Sequence, residues 1–211
     1  IVALSALENN IIGPNFKVEC TGKTELYGQT FHCWKEKGHG VMSLKNAMKQ
    51  SCDTYFYEIA RLLGVDRLKI TAEKFGLGEK VLGDYFRNEK KGLFPNTNWK
   101  KNNLGRGWVL GETLITGIGQ GYTQTTPLQL CLMTAQIANG GYSIKPKIIV
   151  NNNPLNFNEV KNSIKEQNLL NINTKLVKNP KNLRIIQEAM FSSTNEIRGT
   201  SYRSRIDDKK Y

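Results

Sequence analysis

The chain has 211 residues, of which 39% are apolar, and it carries a formal net charge of +12. This length and apolar share suit one globular domain with a sizeable core and exclude a disordered tail. No run of about 18 apolar residues offers a membrane span, and no basic-then-apolar leader marks a signal peptide. Because the chain begins with Ile1 and ends on the charged turn RIDDKKY, we expect an internal fragment of a longer protein.

The first 42 residues are predicted to form a helix followed by a long loop. IVALSALENN has the character of the last turns of a helix. Residues 11–42 carry five glycines and a proline among short β-prone pieces, which predicts an irregular excursion rather than a regular sheet. A loop of this length needs a cross-link to hold it in one conformation.

Three helices are predicted next. Ser43 can cap a helix through LKNAMKQ, in which apolar residues share one face. A second helix follows Asp53, shows an apolar stripe at helical spacing, and ends at Gly64. A third begins at Asp66 and stops at Gly76. The tripeptide Ser51-Cys52-Asp53 is therefore placed at a helix-helix junction.

The remainder of the chain is predicted to alternate loops and helices. Residues 77–110 are interpreted as surface loops, and residues 117–122 (GIGQGY) as a tight turn that resembles a phosphate loop only weakly. Thr126, followed by Pro127 and by Gln129 three residues after the cap, marks a helix that runs to the Gly140-Gly141 pair. Cys131 is expected to be buried in that helix. Residues 147–182 receive no assignment, NLRIIQEAMF predicts another helix, and Gly199-Thr200 a turn or strand.

Three cysteines and one histidine fall close together, as Cys20, Cys33, His39 and Cys52. The spacing C-x12-C-x5-H-x12-C offers a tetrahedral set for a structural Zn²⁺, because thiolates and neutral imidazole are ligands that zinc prefers. The alternative is a disulfide between Cys20 and Cys33 in an oxidising compartment. We prefer zinc, because the disulfide leaves Cys52 and His39 unexplained. His32, beside Cys33, is a weaker substitute ligand.

Ser51 and Asp53 offer a hydroxyl and a carboxylate at the start of a helix. One interpretation is helix capping alone, since both residue types are favoured caps. The other is an active-site Ser-x-Asp motif of the kind that serine acyl-transfer enzymes place between a Ser-x-x-Lys nucleophile and a Lys-Ser/Thr-Gly strand. The chain contains neither of those outer two motifs.

The positive charge is spread along the chain beside many asparagines rather than clustered. A zinc-stabilised basic nucleic-acid-binding module remains an alternative, since clustered Lys and Arg neutralise phosphates. Such a module should show short ligand pairs such as C-x2-C and a Lys/Arg-rich helix, and the sequence has neither. We therefore expect no nucleic-acid partner.

Several motifs together resemble one known family. Ser51-Cys52-Asp53 followed by TYFYEIARLLGVDRL, with GHG upstream and GIGQGY and TPLQL downstream, is similar to the transpeptidase domain of class B penicillin-binding proteins. The similarity is dense over residues 1–146 and looser over 183–203. It implies an α+β fold of the serine β-lactamase and penicillin-binding transpeptidase type. Residues 1–211 would form a partial domain, mainly its helical part, with the central antiparallel sheet truncated, a zinc-stapled excursion at 11–42 and an unassigned insert at 147–182.

The resemblance also implies an activity. In this family IVALSALE directly follows the Ser-x-x-Lys motif, so the nucleophilic serine and its lysine should precede Ile1, and the Lys-Ser/Thr-Gly strand should follow Tyr211. The implied reaction is peptidoglycan D,D-transpeptidation through a serine acyl-enzyme that β-lactams trap. Ser51 would serve the proton route to the leaving amine. Asp53, where many relatives have Asn, would orient the lysine and the substrate amide. An ionised carboxylate can accept a hydrogen bond from the lysine but cannot donate one to a substrate carbonyl, so only the first of these two roles suits an ionised Asp53.

Some members of the family carry a zinc site next to this motif, built from two aspartates, a histidine and a cysteine. His39 and Cys52 match the last two, Cys33 falls where the second aspartate would be, and Cys20 lies near the first. The implied partners are stem peptides, β-lactams and membrane cell-elongation proteins. The implied location is the periplasmic face of the bacterial inner membrane, with the anchor outside this chain. A β-lactam sensor or β-lactamase relative would share the fold, but the excursion at 11–42 favours a transpeptidase.

Overall fold

A computed structural model describes residues 1–83, 86–146 and 174–206. Its elements, in chain order, are α1 (Val2–Glu8), β1 (Lys17–Cys20), β2 (Lys23–Leu26), β3 (Gln29–His32), β4 (Gly40–Ser43), α2 (Leu44–Lys49), α3 (Asp53–Leu63), α4 (Val65–Lys74), α5 (Thr97–Leu104), α6 (Leu110–Gly117), α7 (Pro127–Ala138), α8 (Pro180–Asn195) and a 3₁₀ turn (Tyr202–Ser204). No helix within these ranges has the length and apolarity that crossing a membrane requires.

Helix α3 is the centre of the packing. It contacts α1 on one side and α6 on another, while α2 packs along α8. The largest fully buried side chains include Tyr55 and Ile59 of α3 and Leu4 of α1. Burying each such side chain contributes about 1.5–3 kcal/mol, so this stripe fixes where the amino end of α3 lies. That end carries the Ser-x-Asp motif.

The excursion after α1 is more regular than the sequence predicted. β1 pairs antiparallel with β4, and β2 pairs antiparallel with β3, giving two separate two-stranded sheets in the described ranges. The β2–β3 turn consists of Tyr27 and Gly28, both with positive φ (48° and 77°). Two left-handed residues are what a type I′ hairpin requires. The irregular-loop expectation was therefore wrong for these four strands. The α+β class is confirmed, with helices dominating.

Residues 77–110 were interpreted as surface loops, and this was wrong for two segments. Asn96 caps α5 by accepting from the Trp99 N–H at 2.8 Å. Helix α6 begins after Val109, whose N–H donates to the Glu112 carboxylate at 3.0 Å. Glu112 also forms an ion pair with Lys100, whose side chain is only 7% exposed. The pair ties α5 to α6.

Helix α7 begins where the sequence predicted. The Gln129 N–H donates to Thr126 Oγ1 at 3.2 Å, and the Thr126 N–H donates to Gln129 Oε1 at 2.9 Å. The buried Gln129 amide also donates to the carbonyls of Glu79 and Lys91. Cys131 corrects our expectation of burial: it is exposed, because α7 turns Leu132, Gln136 and Ile137 inward instead.

The insert predicted at 147–182 falls partly outside the described residues, which resume at 174. Ser143 N–H donates to the Thr174 carbonyl at 3.0 Å, and Tyr142 forms an antiparallel bridge with Lys175. The Glu8 carboxylate then accepts from the Lys178 N–H. These contacts return the chain to α1 immediately before α8 begins.

The carboxyl end of α8 is fastened to α2 by charge. The Glu196 carboxylate lies 2.8 Å from both Lys45 Nζ and Lys49 Nζ and accepts from Ser192 Oγ at 2.9 Å. Hydrogen bonds from Lys45, Lys49 and Ser192 lower the pKa of Glu196 to about 2. We call these four residues the Glu196 clamp.

The clamp predicts a pH-dependent contribution to stability. A carboxyl group with a lowered folded-state pKa contributes its full stabilisation above its unfolded pKa, about 4.3, and loses it as pH falls through the folded value. Glu196→Gln should therefore lower the free energy of unfolding at pH 7, and the deficit should shrink between about pH 4.5 and 2. Urea unfolding across this range measures it. Glu188→Gln on the same helix is the control, and a pH-independent deficit at Glu196 would contradict the analysis.

Candidate metal centre and active-site groove

The four residues predicted as metal ligands lie together. One ligand atom from each of Cys20, Cys33, His39 and Cys52 lies within 4.8 Å of the others. His39 Nδ1 is 3.5 Å from both Cys20 Sγ and Cys33 Sγ. All three cysteines are buried and carry free thiols. We call these four residues the Cys3His cluster.

The short strands position three members of the cluster. Cys20 ends β1 and pairs with Gly40 of β4, directly after His39. Cys33 follows β3, and its N–H donates to the Gly22 carbonyl at 2.8 Å. At Gly38, where φ is +74°, an added Cβ would lie 2.1 Å from the Cys20 carbonyl oxygen. The loop carrying His39 therefore rests directly on the chain at Cys20, and only glycine permits that approach.

The fourth member comes from a helix. Cys52 occupies the N-cap position of α3 and is completely buried. His32, the weaker substitute, is exposed at the end of β3, where it pairs with Lys23, and does not join the cluster.

The electrostatics of the cluster suit a cation. Burial acts to raise the pKa of Cys20, but the neighbouring polar groups of Thr54, His39 and Gly22 outweigh it and lower that pKa to about 6. Burial, with the neighbouring Cys20 and Cys33 thiols, raises the pKa of Cys52. A divalent ion stabilises a thiolate such as that of Cys20. It also displaces the protons of neighbouring buried thiols when they become ligands.

The geometry fits a tetrahedral metal. Sulfur ligands at about 2.3 Å from zinc stand roughly 3.8 Å apart. The four ligand atoms of the cluster all lie within 4.8 Å of one another, which suits such a site. His39 Nδ1 faces the sulfurs, whereas Nε2 is buried with no hydrogen-bond partner among the described residues. The imidazole instead packs edge-on against Trp34, with ring centroids 5.4 Å apart. The donor set can therefore hold a metal through Nδ1.

Ser51 and Asp53 flank Cys52, and neither side chain caps α3. Ser51 is exposed with φ 52°, and its hydroxyl lies 2.9 Å from Thr200 Oγ1. Asp53 Oδ2 accepts from the Trp34 N–H at 2.9 Å. Cys52 makes no side-chain cap either. Because both polar side chains bond to distant parts of the chain, helix capping alone does not explain them.

Both residues line an open groove of about 380 Å³. Its walls are apolar apart from Ser51 and Asp53, and they include the amino end of α1 and the turn after α6. The lining residues are Ile1, Val2, Ala3, Met48, Ser51, Asp53, Phe56, Gly117, Ile118, Gly119 and Ile186. The turn at 117–119 is therefore adjacent to the motif. A pair of polar groups on an apolar wall is typical of a binding cleft.

Sequence reasoning missed Trp34, which joins the Cys3His cluster to the groove. It follows Cys33 directly, its N–H donates to Asp53, and its indole Nε1–H donates to the Gln50 carbonyl at 3.0 Å. Trp34 thus holds both ends of the turn at 50–53. Its place beside Cys33 was visible in the sequence, but the direction of its N–H groups depends on the β2–β3 sheet.

Trp34→Phe keeps an aromatic ring and the backbone N–H but removes the indole donor. We expect the free energy of unfolding to fall by about 1 kcal/mol, the usual net contribution of one hydrogen bond. Urea unfolding measures the change. Trp99→Phe is the matched control, because the Trp99 indole packs on Tyr122 and makes no hydrogen bond within the described ranges. Equal losses in the two variants would contradict the bridging role.

The family model of the penicillin binding protein transpeptidase domain matches residues 1–210. The chain therefore belongs to this family of transpeptidase domains. Within it, the chain is similar to the peptidoglycan D,D-transpeptidase MrdA of Acinetobacter baumannii, at 36% identity over 149 residues, covering 70% of this chain and 22% of that protein. It is 33% identical over 151 residues to MrdA of Escherichia coli K12, covering 71% of this chain and 24% of that protein.

Solved structures agree. Penicillin-binding protein 2 of Pseudomonas aeruginosa, in complex with WCK 5153, matches with a TM-score of 0.80 and 34% identity, over 96% of this chain and 42% of that one. Penicillin-binding protein 2 of Helicobacter pylori, in complex with MreC, matches with a TM-score of 0.80 and 32% identity, over 96% of this chain and 35% of that one. The chain spans less than a quarter of the curated MrdA relatives.

Proposed function

We propose that this chain supplies Ser51 and Asp53 to the active site of a serine-type peptidoglycan D,D-transpeptidase that cross-links stem peptides and binds β-lactams. The observation that carries the proposal is the shared groove: in a member of the transpeptidase family, Ser51 and Asp53 line the same groove as Ile1. The names of the MrdA relatives support this reaction over a nucleic-acid module or a β-lactam sensor.

The placement of Ile1 supports the expected order of motifs. The family resemblance implies that a Ser-x-x-Lys motif directly precedes IVALSALE. Residues joined to Ile1 in a longer protein would enter the groove beside Ser51, because Ile1 lines the same wall. A serine delivered there would attack the donor carbonyl, with the lysine taking its proton. The carbonyl–nitrogen bond would then break, so that the protonated amine leaves and the acyl group stays on the serine.

Ser51 and Asp53 have separate roles in this mechanism. The Ser51 hydroxyl both donates and accepts, so it can pass a proton towards the leaving amine. Asp53 accepts from Trp34 through Oδ2, while Oδ1 makes no hydrogen bond to the described residues. That free acceptor suits the ammonium of the incoming lysine. An ionised Asp53 does not donate to a substrate carbonyl, so another group must do so.

We further propose that the Cys3His cluster binds one structural Zn²⁺. Zinc would supply a fixed tetrahedral link between the excursion at 11–42 and the amino end of α3. It would hold Cys52, and hence the backbone on either side of it, without touching the substrate.

The other proposed partners are β-lactams and a membrane cell-elongation protein, as suggested by the MreC complex of the Helicobacter relative. The proposed location is the periplasmic face of the bacterial inner membrane.

The zinc proposal predicts one zinc per chain after purification. Cys52→Ser removes one of four ligands and should abolish retention of zinc during dialysis against a chelator. Elemental analysis measures the content, and thermal unfolding should show that chelation lowers the Tm of the parent but not of the variant. Cys131→Ser, at an exposed cysteine outside the cluster, should retain zinc. A metal-free, folded protein with a Cys20 to Cys33 disulfide would overturn the proposal.

The transpeptidase proposal predicts where penicillin reacts. A fluorescent penicillin should label a natural form of the protein that includes both flanking motifs. It should not label residues 1–211 alone, which contain no Ser-x-x-Lys. Ser51→Ala in the longer form should slow acylation by about 10²-fold or more, the scale expected for losing a proton-transfer partner.

Ser43→Ala is the control for that experiment. Ser43 caps α2 at its other end, accepting from the Asn46 N–H. Its loss should cost about 1 kcal/mol of stability while leaving the acylation rate unchanged. Two results would refute the transpeptidase assignment: labelling of the 211-residue chain at Ser51, or a longer form that penicillin does not label.

A further inference from the structure

The Ser51 hydroxyl is held by a residue from the other end of the chain. Thr200 lies 149 positions away, and its Oγ1 is 2.9 Å from Ser51 Oγ. Within the described ranges, Ser51 Oγ makes no other hydrogen bond. An exposed serine hydroxyl samples three staggered rotamers, so one fixed partner decides which of them is occupied. The orientation of Ser51 therefore depends on where Thr200 lies.

Thr200 is itself fixed from two sides. Its backbone N–H donates to the Lys49 carbonyl at 3.0 Å, which satisfies one of the free carbonyls at the end of α2. The turn that carries it is closed by the Ser201 N–H bond to the Ser193 carbonyl at 3.2 Å. An added Cβ at Gly199 would lie 2.1 Å from that same carbonyl oxygen, so the turn rests tightly on α8.

The Glu196 clamp completes this attachment. It ties the start of the turn to Lys45 and Lys49 on the same helix whose final carbonyl holds Thr200. Helix α2 leads directly into Ser51. The turn and Ser51 are therefore both attached to α2, and this restricts the movement of Thr200 relative to Ser51.

The Ser51–Thr200 contact is the shortest that Thr200 Oγ1 makes. Its Oγ1 lies 2.9 Å from Ser51 Oγ, 3.4 Å from the Lys49 carbonyl oxygen and 3.5 Å from Ser193 Oγ. Either hydroxyl of the Ser51–Thr200 pair can donate, because each has one proton and can also accept. In both arrangements the contact at 2.9 Å holds Ser51 Oγ in the same place.

We propose that Thr200 is a positioning residue for Ser51: its hydroxyl fixes the rotamer in which Ser51 lines the groove. The proposal rests on the proposed catalytic role of Ser51. Threonine suits the task because its branched side chain has restricted χ1 freedom, so its hydroxyl is itself held in place.

The test compares two substitutions in a natural form of the protein that includes both flanking motifs. Thr200→Val keeps the shape and removes the hydroxyl, and should slow the penicillin acylation step about 10-fold while leaving the noncovalent dissociation constant unchanged. Thr200→Ser keeps the hydroxyl and should restore the rate to within about threefold of the parent. Thr194→Val is the matched control, because that hydroxyl donates to the Phe191 carbonyl and lies outside the groove.

A double mutant separates positioning from a general structural role. If Thr200 acts through Ser51, Thr200→Val should cause no further loss in the Ser51→Ala background. An equal loss in both backgrounds would overturn the proposal. Thr200→Ala removes the same hydroxyl and replaces Val if that variant does not fold. If Ser51→Ala leaves acylation unchanged, the proposed function fails; if only Ser51→Ala slows it, this inference alone fails.

Discussion

The position of Cys52 is the constraint on which the groove depends. Cys52 belongs to the Cys3His cluster and is also the N-cap residue between the two polar residues of the motif. Cys52 is buried while Ser51 and Asp53 on either side of it line the groove, and Ser51 has a left-handed φ of 52°. The left-handed backbone costs about 1 kcal/mol or more for a residue with a Cβ. The cluster and the buried stripe of α3 offset that cost.

Local signals were enough to predict several elements of the fold. The caps at Ser43 and Thr126 and the stop at Gly64 lie within a few residues of the helices they delimit, and α2, α3 and α7 follow them. Helix α5 was missed because it is polar almost throughout and buries only Lys100. The β2–β3 hairpin was missed because Tyr27-Gly28 is not one of the favoured type I′ pairs.

The candidate site likewise has one part that the sequence could predict and one part that it could not. The cluster was predictable because ligand chemistry depends on residue type, and the structure brings those residues together. Trp34 and Thr200 were not, because their roles depend on where backbone and hydroxyl groups point after distant segments meet. Ser51 is thereby restrained twice, through its backbone by Cys52 and through its side chain by Thr200. A sequence motif states which groups are present, whereas these two restraints determine their direction.

An antiparallel bridge between Tyr142 and Lys175 joins two parts of the chain that are far apart in sequence. The Ser143 N–H donates to the Thr174 carbonyl at 3.0 Å, so the described residues on either side of 147–173 meet there. Closure entropy grows by only about 0.6 kcal/mol for each doubling of the number of residues between two joined points. The places of α7 and α8 are therefore set by their own contacts rather than by the number of residues between them.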